Sequence, residues 1–319
     1  MNSRIKEQTR NDLLADVAEM YYLQNKNQAE IAEMVGVTRS MISRLLTEAR
    51  TLGIVQVRIQ RSIQFDQSLA GVLFDKFGLE NAKVVVERPG ESVRAQLGRV
   101  GARLLKEILK PGLVLGLPWG TTVSAVVSAV EADHPVSVKI VQLVGALGAR
   151  NQDYDGHGLV QRLAEKLGGE GFFLNAPFFG ENEETVQALL QNKSIRESIQ
   201  MAEKCDVALL GIGSMDKEYS SFFNAGYIEE QEFQHLLDKG VVGDVCGLLY
   251  DIEGKPQAPE FEKRTVTIGR ERLLKIPARI GVASGVGKVQ SIIGAIRAGY
   301  INQLITSSAT ARALMEEKL

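Results

Sequence analysis

Lys288 closes a glycine-rich stretch, RIGVASGVGK (279–288), in which an apolar run passes through a loop to a lysine at a helix start. A cation beside unpaired backbone N–H groups suits a phosphate or another oxyanion. The pattern departs from a nucleotide-binding P-loop. Val282 stands where the first glycine is required, and Val289 follows the lysine in place of Ser or Thr. A nucleoside triphosphatase is therefore not expected. A single phosphate held by Lys288 beside Ser284, Gly285 and Gly287 is one reading, and a solvated loop lysine is the other. GLVLGLPWGTTVS (112–124) again runs from strand through glycine loop to helix start. Backbone N–H groups at Gly120, Thr121 and Thr122, with two hydroxyls, make either an anion cradle or an ordinary threonine-capped turn. A third loop, Gly211-Ile-Gly-Ser214, ends the apolar run DVALLGIGS. Asp244, in GVVGDVCGLLY (240–250), is placed either to accept sugar hydroxyls or to cap a helix from a turn.

No catalytic set accompanies these loops. The chain lacks GxSxG and HExxH, and no Cys–His pair has supporting spacing. Asp153, Asp155 and His157 cluster in NQDYDGHG and read as a polar loop before a helix, near the pocket mouth. The three histidines, 134, 157 and 235, are far apart, so a multi-histidine metal site is not expected. No cofactor is expected either.

A different chemistry lies near the start of the chain, in QAEIAEMVGVTRSMISRLL (28–46). A helix-turn-helix needs a small residue where its helices cross, and Ala32 supplies it. It needs a residue tolerant of positive φ in the turn, and Gly36 follows four positions on. It needs aliphatic residues on the inner face of the second helix, supplied by Ile42 and Leu45. The outer face then carries Arg39, Ser40, Ser43, Arg44 and Thr47, donors and acceptors for base edges and phosphates in a major groove. No Asp or Glu lies between Thr38 and Thr47. A plain helical hairpin with a solvated face is the alternative. The DNA-reading candidates are Gln28, Thr38, Arg39, Ser40, Met41, Ser43 and Arg44.

These residues need elements to position them. Leu14, Val17, Ala18 and Tyr21 recur at helical spacing. Asn27 and Glu30 form a capping-box-like start for a helix over 28–35, and Thr38 is the expected N-cap of the next, which ends at Gly53. Ile54–Ile59 alternates at period two and reads as a strand or wing. Residues 62–80 read as a connecting helix, with Leu69, Val72, Leu73 and Phe77 on one side. Beyond residue 83, short apolar runs alternate with amphipathic helical stretches. The strand candidates are Lys83–Val86, Leu113–Leu117, Val138–Val144, Gly171–Leu174, Val207–Ile212, Arg279–Ala283 and Gln303–Thr306. That alternation implies a parallel sheet covered on both faces. In such sheets ligands bind beyond the carboxyl ends of the strands, where the glycine loops fall.

Composition sets the outer limits. The chain has 319 residues, 45% of them hydrophobic and 24% charged, with a formal net charge of -2. That is ordinary for a globular protein of about two domains. Residues 1–61 hold nine Lys or Arg against seven Asp or Glu, and the remainder holds 28 against 32. Weak non-specific DNA affinity per subunit follows, so binding should need two half-sites. Cys205 and Cys246 lack CxxC spacing and fit a reducing compartment. The N-terminus has no apolar signal core, and apolar runs break well short of a membrane span. A cytoplasmic protein without membrane partners is expected.

The ordered series VGVTRSMISRLLTEARTLGIVQVRI, PGLVLGLPWGTTV, VQLVGALG, DVALLGIGS, GVVGDVCGLLYDIEGK, RIGVASGVGKVQSIIGAIRAGYINQLIT and TARALM resembles the SorC family of sugar-binding transcriptional regulators, also called the DeoR/central glycolytic regulator type. The likeness covers nearly the whole chain. It implies an α/β protein with a winged helix-turn-helix domain over 1–60, a linker helix over 61–82, and an effector and oligomerisation domain over 83–319. That last domain would be Rossmann-like, similar to the glucosamine-6-phosphate deaminase and ribose-phosphate isomerase folds. The resemblance implies operator DNA and a sugar or sugar phosphate as partners, and a homo-oligomer, commonly a tetramer. By the same likeness Gly120 to Thr122 and Lys288 would grip the phosphate, and Asp244 would line the sugar site. The effector candidates are Trp119, Gly120, Thr121, Thr122, Gly145, Gly213, Asp244, Gly285 and Lys288. Two segments depart from the family pattern: Ser307-Ser308 replaces a usual acidic residue after the strand end, and ASGVGK lacks acidic residues before its lysine. A regulator of a carbohydrate or polyol operon is the expectation. The alternative is a sugar-phosphate isomerase or deaminase-like enzyme with an appended DNA-binding domain.

Overall fold

The computed structural model describes residues 2–55, 62–132, 134–148, 153–224 and 226–317. The chain divides into two compact units, Met1–Ser62 and Ile63–Leu319.

The first unit holds α1 (Asn2–Tyr22), α2 (Gln28–Val35) and α3 (Arg39–Thr51). Its core is a single cluster: Leu14, Val17 and Ala18 of α1, Ile31 and Ala32 of α2, and Ile42, Leu45, Leu46 and Ala49 of α3. Burying one such aliphatic side chain contributes about 1.5–3 kcal/mol, which is what holds three short helices together. The local starts and stops follow from named residues. Asn27 accepts from the N–H groups of Ala29 and Glu30, and the Glu30 carboxylate accepts from the Asn27 N–H, a complete capping box. Gly36 ends α2 in the left-handed region at φ 72°, which a β-carbon would disfavour. Thr38 caps α3 through the Met41 N–H. The wing expected over Ile54–Ile59 falls largely on residues 56–61, which lie outside the described residues. Ile54 and Val55 pack against the three-helix core.

The second unit begins with α4 (Gln67–Phe77), β1 (Asn81–Val85), α5 (Val93–Ile108), β2 (Val114–Leu117), α6 (Thr121–Ala129), β3 (Lys139–Gln142), α7 (Gly156–Leu167) and β4 (Glu170–Phe172). It continues with α8 (Glu183–Gln191), α9 (Lys193–Ala202), β5 (Val207–Gly211), β6 (Gly213–Ser214), α10 (Ser221–Asn224), α11 (Glu230–Asp238), β7 (Gly243–Val245) and β8 (Leu248–Tyr250). It closes with α12 (Pro259–Glu262), α13 (Arg270–Lys275), β9 (Ala278–Val282), a 3-10 turn (Val286–Lys288), α14 (Val289–Arg297), β10 (Gln303–Ser307) and α15 (Ser308–Glu316).

Seven strands form one parallel sheet in the order β1-β10-β9-β5-β2-β3-β4. Side chains along each strand alternate between two cores. In β5, Ala208 and Leu210 join one cluster while Val207 and Leu209 join the other. In β3, Ile140 and Val141 divide the same way. Burial on both faces is why these strands read as unbroken apolar runs. A small antiparallel sheet, β6-β7-β8, sits beyond the end of β5. The helix α4 packs within this unit. Leu73 is fully buried, and Lys76 Nζ donates to the Met315 and Glu317 carbonyls at 2.8 Å. The segment read as a connecting helix thus covers β1 and the end of α15.

Candidate functional site

Five of the parallel strands deliver loops to one edge of the sheet. Glu87 follows β1, Gly120 to Thr122 follow β2, Gly211 ends β5, Ser284 to Lys288 follow β9, and Ser307 to Thr310 lie at the junction of β10 and α15. The larger cavity, about 630 Å³, is lined by Glu87, Ser92, Arg94, Gly120, Thr121, Thr122, Tyr154, Tyr219, Ser284, Gly285, Lys288, Ser307 and Thr310, among others. A smaller one, about 40 Å³, shares Gly120 to Thr122 and Lys288 and adds Trp119, Gly211, Gly213, Asp244, Cys246 and Gly247. The structure therefore brings eight of the nine sequence candidates to one place.

Gly145 is the exception and lines neither cavity. A β-carbon there would fall 2.5 Å from the Pro177 carbonyl oxygen, and its N–H donates to Val266. Its smallness serves backbone packing, and it stands apart from the other eight candidates.

Gly213 lines the smaller cavity beside Asp244. A β-carbon on it would lie 1.8 Å from Asp244 Oδ1, so the glycine makes room for that carboxylate. Asp244 lies in β7, paired with Gly213 across the small sheet, and its Oδ2 accepts from the Gly247 N–H at 3.1 Å. It caps no helix. Burial pushes its carboxyl up to about 6, against the pull of the Gly247 N–H and the Lys288 charge. Lys288 is brought down to about 8 by burial. Asp244 opposes that shift and Arg94 adds to it. The lysine donates to the Ile212 carbonyl. A partly buried cation and a partly buried carboxylate thus face one cleft, each displaced towards its neutral form.

Gly120, at φ 145°, is the N-cap of α6 and makes no side-chain capping bond, so the first amides of that helix have no side-chain acceptor at their cap. The Trp119 indole ring packs edge-on against Phe178 and Phe222. Its N–H is buried without an acceptor among the described residues. Buried donors ordinarily have partners, and an oxygen-rich ligand supplies acceptors. Gly285 donates its N–H to Thr310 Oγ1 at 2.9 Å, which joins the β9 and β10 loops. In the polar loop before α7, Asp155 is the N-cap through the His157 N–H and also accepts from the Leu147 N–H at 2.7 Å. Tyr154 beside it lines the larger cavity, while His157 stacks on Phe173.

Sequence reasoning missed Glu87, Ser92, Arg94 and Tyr219. Glu87, Ser92 and Tyr219 come from loops and Arg94 from the first turn of α5, segments that only the strand order brings together, and their local sequences carry no ligand-binding pattern.

The nucleic-acid candidates lie on the first unit. Thr38, Arg39, Ser40, Met41, Ser43 and Arg44 are all exposed, on one end of α3 and its cap. Among the described residues no carboxylate pairs with Arg39 or Arg44. The Thr38 hydroxyl is engaged with the Met41 N–H and with Ser40 Oγ at 2.9 Å, so it shapes the helix start. Gln28 is half-buried in the first turn of α2. Arg50, further along α3, is held by the Tyr22 hydroxyl at 2.8 Å.

Comparison with known proteins agrees with this division. Residues 61–316 match the family described as "Putative sugar-binding domain", and residues 12–51 match "Sigma-70, region 4". The chain is 29% identical over 313 residues to the deoxyribonucleoside regulator of Bacillus subtilis, covering 98% of this chain and 99% of that protein. It is 31% identical over 309 residues to the sorbitol operon regulator of Klebsiella pneumoniae, covering 95% and 98% respectively. The crystal structure of the full-length sorbitol operon regulator SorC from Klebsiella pneumoniae superimposes with a TM-score of 0.74 at 30% identity, over 96% of this chain and 99% of that one.

Proposed function

The chain belongs to the SorC family of sugar-binding transcriptional regulators, and we propose that it controls a carbohydrate or polyol operon in response to a sugar or sugar-phosphate effector held between Asp244 and Lys288. It is a DNA-binding regulator and not an enzyme. The observation that carries the effector reading is the shared cleft: a partly buried lysine, a partly buried carboxylate and the uncapped start of α6 meet there. An effector phosphate would take the Lys288 ammonium and the Thr121 and Thr122 amides, the Gly120 N–H being engaged with the Tyr154 carbonyl at 3.0 Å. Sugar hydroxyls would reach Asp244 and the Trp119 N–H. Gly213 and Gly285 serve by allowing Asp244 and the β9 loop their close approach.

On the DNA side, the exposed start of α3 enters the major groove. Arg39 and Arg44 reach base edges or phosphates, and Ser40, Met41, Ser43 and Gln28 complete the contact. The helical domain over 1–60 reads the operator, and the segment from 61 onward binds the effector and assembles the homo-oligomer, a tetramer in this reading. Two DNA-reading units per operator offset the low net charge of the chain. Among the described residues no helix is long and apolar enough to cross a membrane, and we place the protein in the cytoplasm.

A thermal-shift screen of sugars, polyols and their phosphates tests the effector reading, since a ligand bound to the native state raises Tm. The expected result is a shift with one ligand class that Lys288→Ala abolishes while operator binding persists. A shift that survives Lys288→Ala unchanged would remove the lysine from the site.

A further inference from the structure

Glu87 stands just past the end of β1, at the rim of the larger cavity. Its Oε1 accepts the Ala309 N–H at 2.8 Å, and its Oε2 accepts the Ser308 hydroxyl. Both donors belong to the first turn of α15, a nine-residue helix whose partial positive charge faces the carboxylate. Burial works against ionisation of Glu87, but the bonds from Ser308, Ser307 and Ala309 prevail and hold its carboxyl below the usual range. The start of α6, also nine residues long and at the same cavity, is the opposite case, with no side chain capping it. Two helices of equal length therefore open onto one cavity. One is already neutralised by an anion from the chain itself, and the other has none.

We propose that Glu87 is a specificity-determining residue. It fills the α15 end of the cavity with fixed negative charge, and so restricts the effector to a molecule with one anionic group. That group sits at Lys288 and α6, and a neutral, hydroxyl-bearing end turns towards Glu87. The proposal rests on the reading of this cavity as the effector site. A carboxylate oxygen that accepts one hydrogen bond still has a lone pair, so Glu87 can accept a ligand hydroxyl while anchored to α15. A second phosphate at that end would meet a like charge and find the α15 amides already taken. Arg94 also lines the cavity, but it is solvent-exposed, and water screens its attraction.

Equilibrium dialysis of inorganic phosphate against the full chain, with calorimetric titration of paired sugar monophosphates and bisphosphates, tests this. Wild type should hold one phosphate per chain, lost in Lys288→Ala. Glu87→Ala should hold two, the second of which persists in the double variant with Lys288→Ala. The preference for monophosphate over bisphosphate should fall at least about tenfold in Glu87→Ala, given the usual penalty of like charges in contact. Glu87→Gln keeps an oxygen for Ala309 but removes the charge, and should lose the same preference should the alanine variant fail to fold. One phosphate per chain in Glu87→Ala with an unchanged preference would overturn the role of Glu87 alone, as would an unchanged preference in Glu87→Gln. No Lys288-dependent phosphate in wild type would instead overturn the reading of the cavity on which the role rests.

Discussion

Replacing Gly213 by alanine separates the requirements of the pocket from those of the fold. A β-carbon there would lie 1.8 Å from Asp244 Oδ1 and 2.9 Å from its Cγ, where 3.4 Å is ordinary contact. Either the β6-β7 pairing opens or Asp244 swings away. Swinging breaks its bond to the Gly247 N–H and separates it from Lys288. Overpacking of this kind costs about 1–3 kcal/mol. Taking about 2 kcal/mol, Tm should drop by roughly 4–8 °C for a domain of this size. Gly211, two residues earlier and lining the same smaller cavity, is the control, because its nearest neighbour would be Val123 Cγ2 at 3.8 Å. Differential scanning calorimetry with and without effector reads both effects. Gly213→Ala should lose stability and the ligand-induced rise in Tm, and Gly211→Ala should keep both. Equal behaviour of the two variants, or a Gly213→Ala protein with full ligand response, would refute the placement of Asp244.

Further predictions concern charge. The Asp244 carboxyl is raised to about 6 from 3.8, so the folded state holds its proton more tightly than the unfolded one. Its contribution is therefore present at low pH and is lost as pH rises through 6, and Asp244→Asn should flatten that part of the stability profile measured by denaturant titration. Lys288, lowered to about 8, must be charged to hold an anion, so affinity for a phosphorylated effector should fall by up to about tenfold per pH unit above 8. A calorimetric affinity that stays level from pH 7 to 10 would contradict this. Arg44→Ala should weaken operator binding by about 1–3 kcal/mol if it reads a base, or lower the salt slope by about 1 if it contacts a phosphate, as seen in fluorescence anisotropy across salt concentrations. Asn27→Ala should remove the capping box and destabilise the first unit by about 1 kcal/mol.

The helix-turn-helix was legible because its determinants are local: Asn27 with Glu30, Gly36, Thr38 and the Ile42–Leu45 face all act within a few residues of where they stand. The parallel sheet was legible because strands such as 207–211, buried on both faces, are apolar without interruption. Its order was not, since pairings such as β1 with β10 join residues more than 200 positions apart. The small sheet escaped notice because strands of two or three residues, such as Gly213–Ser214, are too short for periodicity to show. Nothing local to Asp244 therefore separates a sugar-hydroxyl acceptor from a helix-capping turn residue, and only its pairing opposite Gly213 in the ladder excludes the cap. Gly145 looked like its neighbouring loop glycines, and only the approach of Pro177 reveals its packing role. Glu87 and Arg94 could not be found by motif, because the geometry that makes them pocket residues is created by α15, α5 and the strand order.

The two-site account is tested most directly by measuring operator affinity of the full chain with and without the ligand that raises its Tm. Coupling between such sites typically changes affinity by about 5- to 150-fold. The account predicts a shift in that range, absent in Lys288→Ala. An operator affinity that stays the same when the cavity is saturated would show that the two units do not communicate and would contradict it.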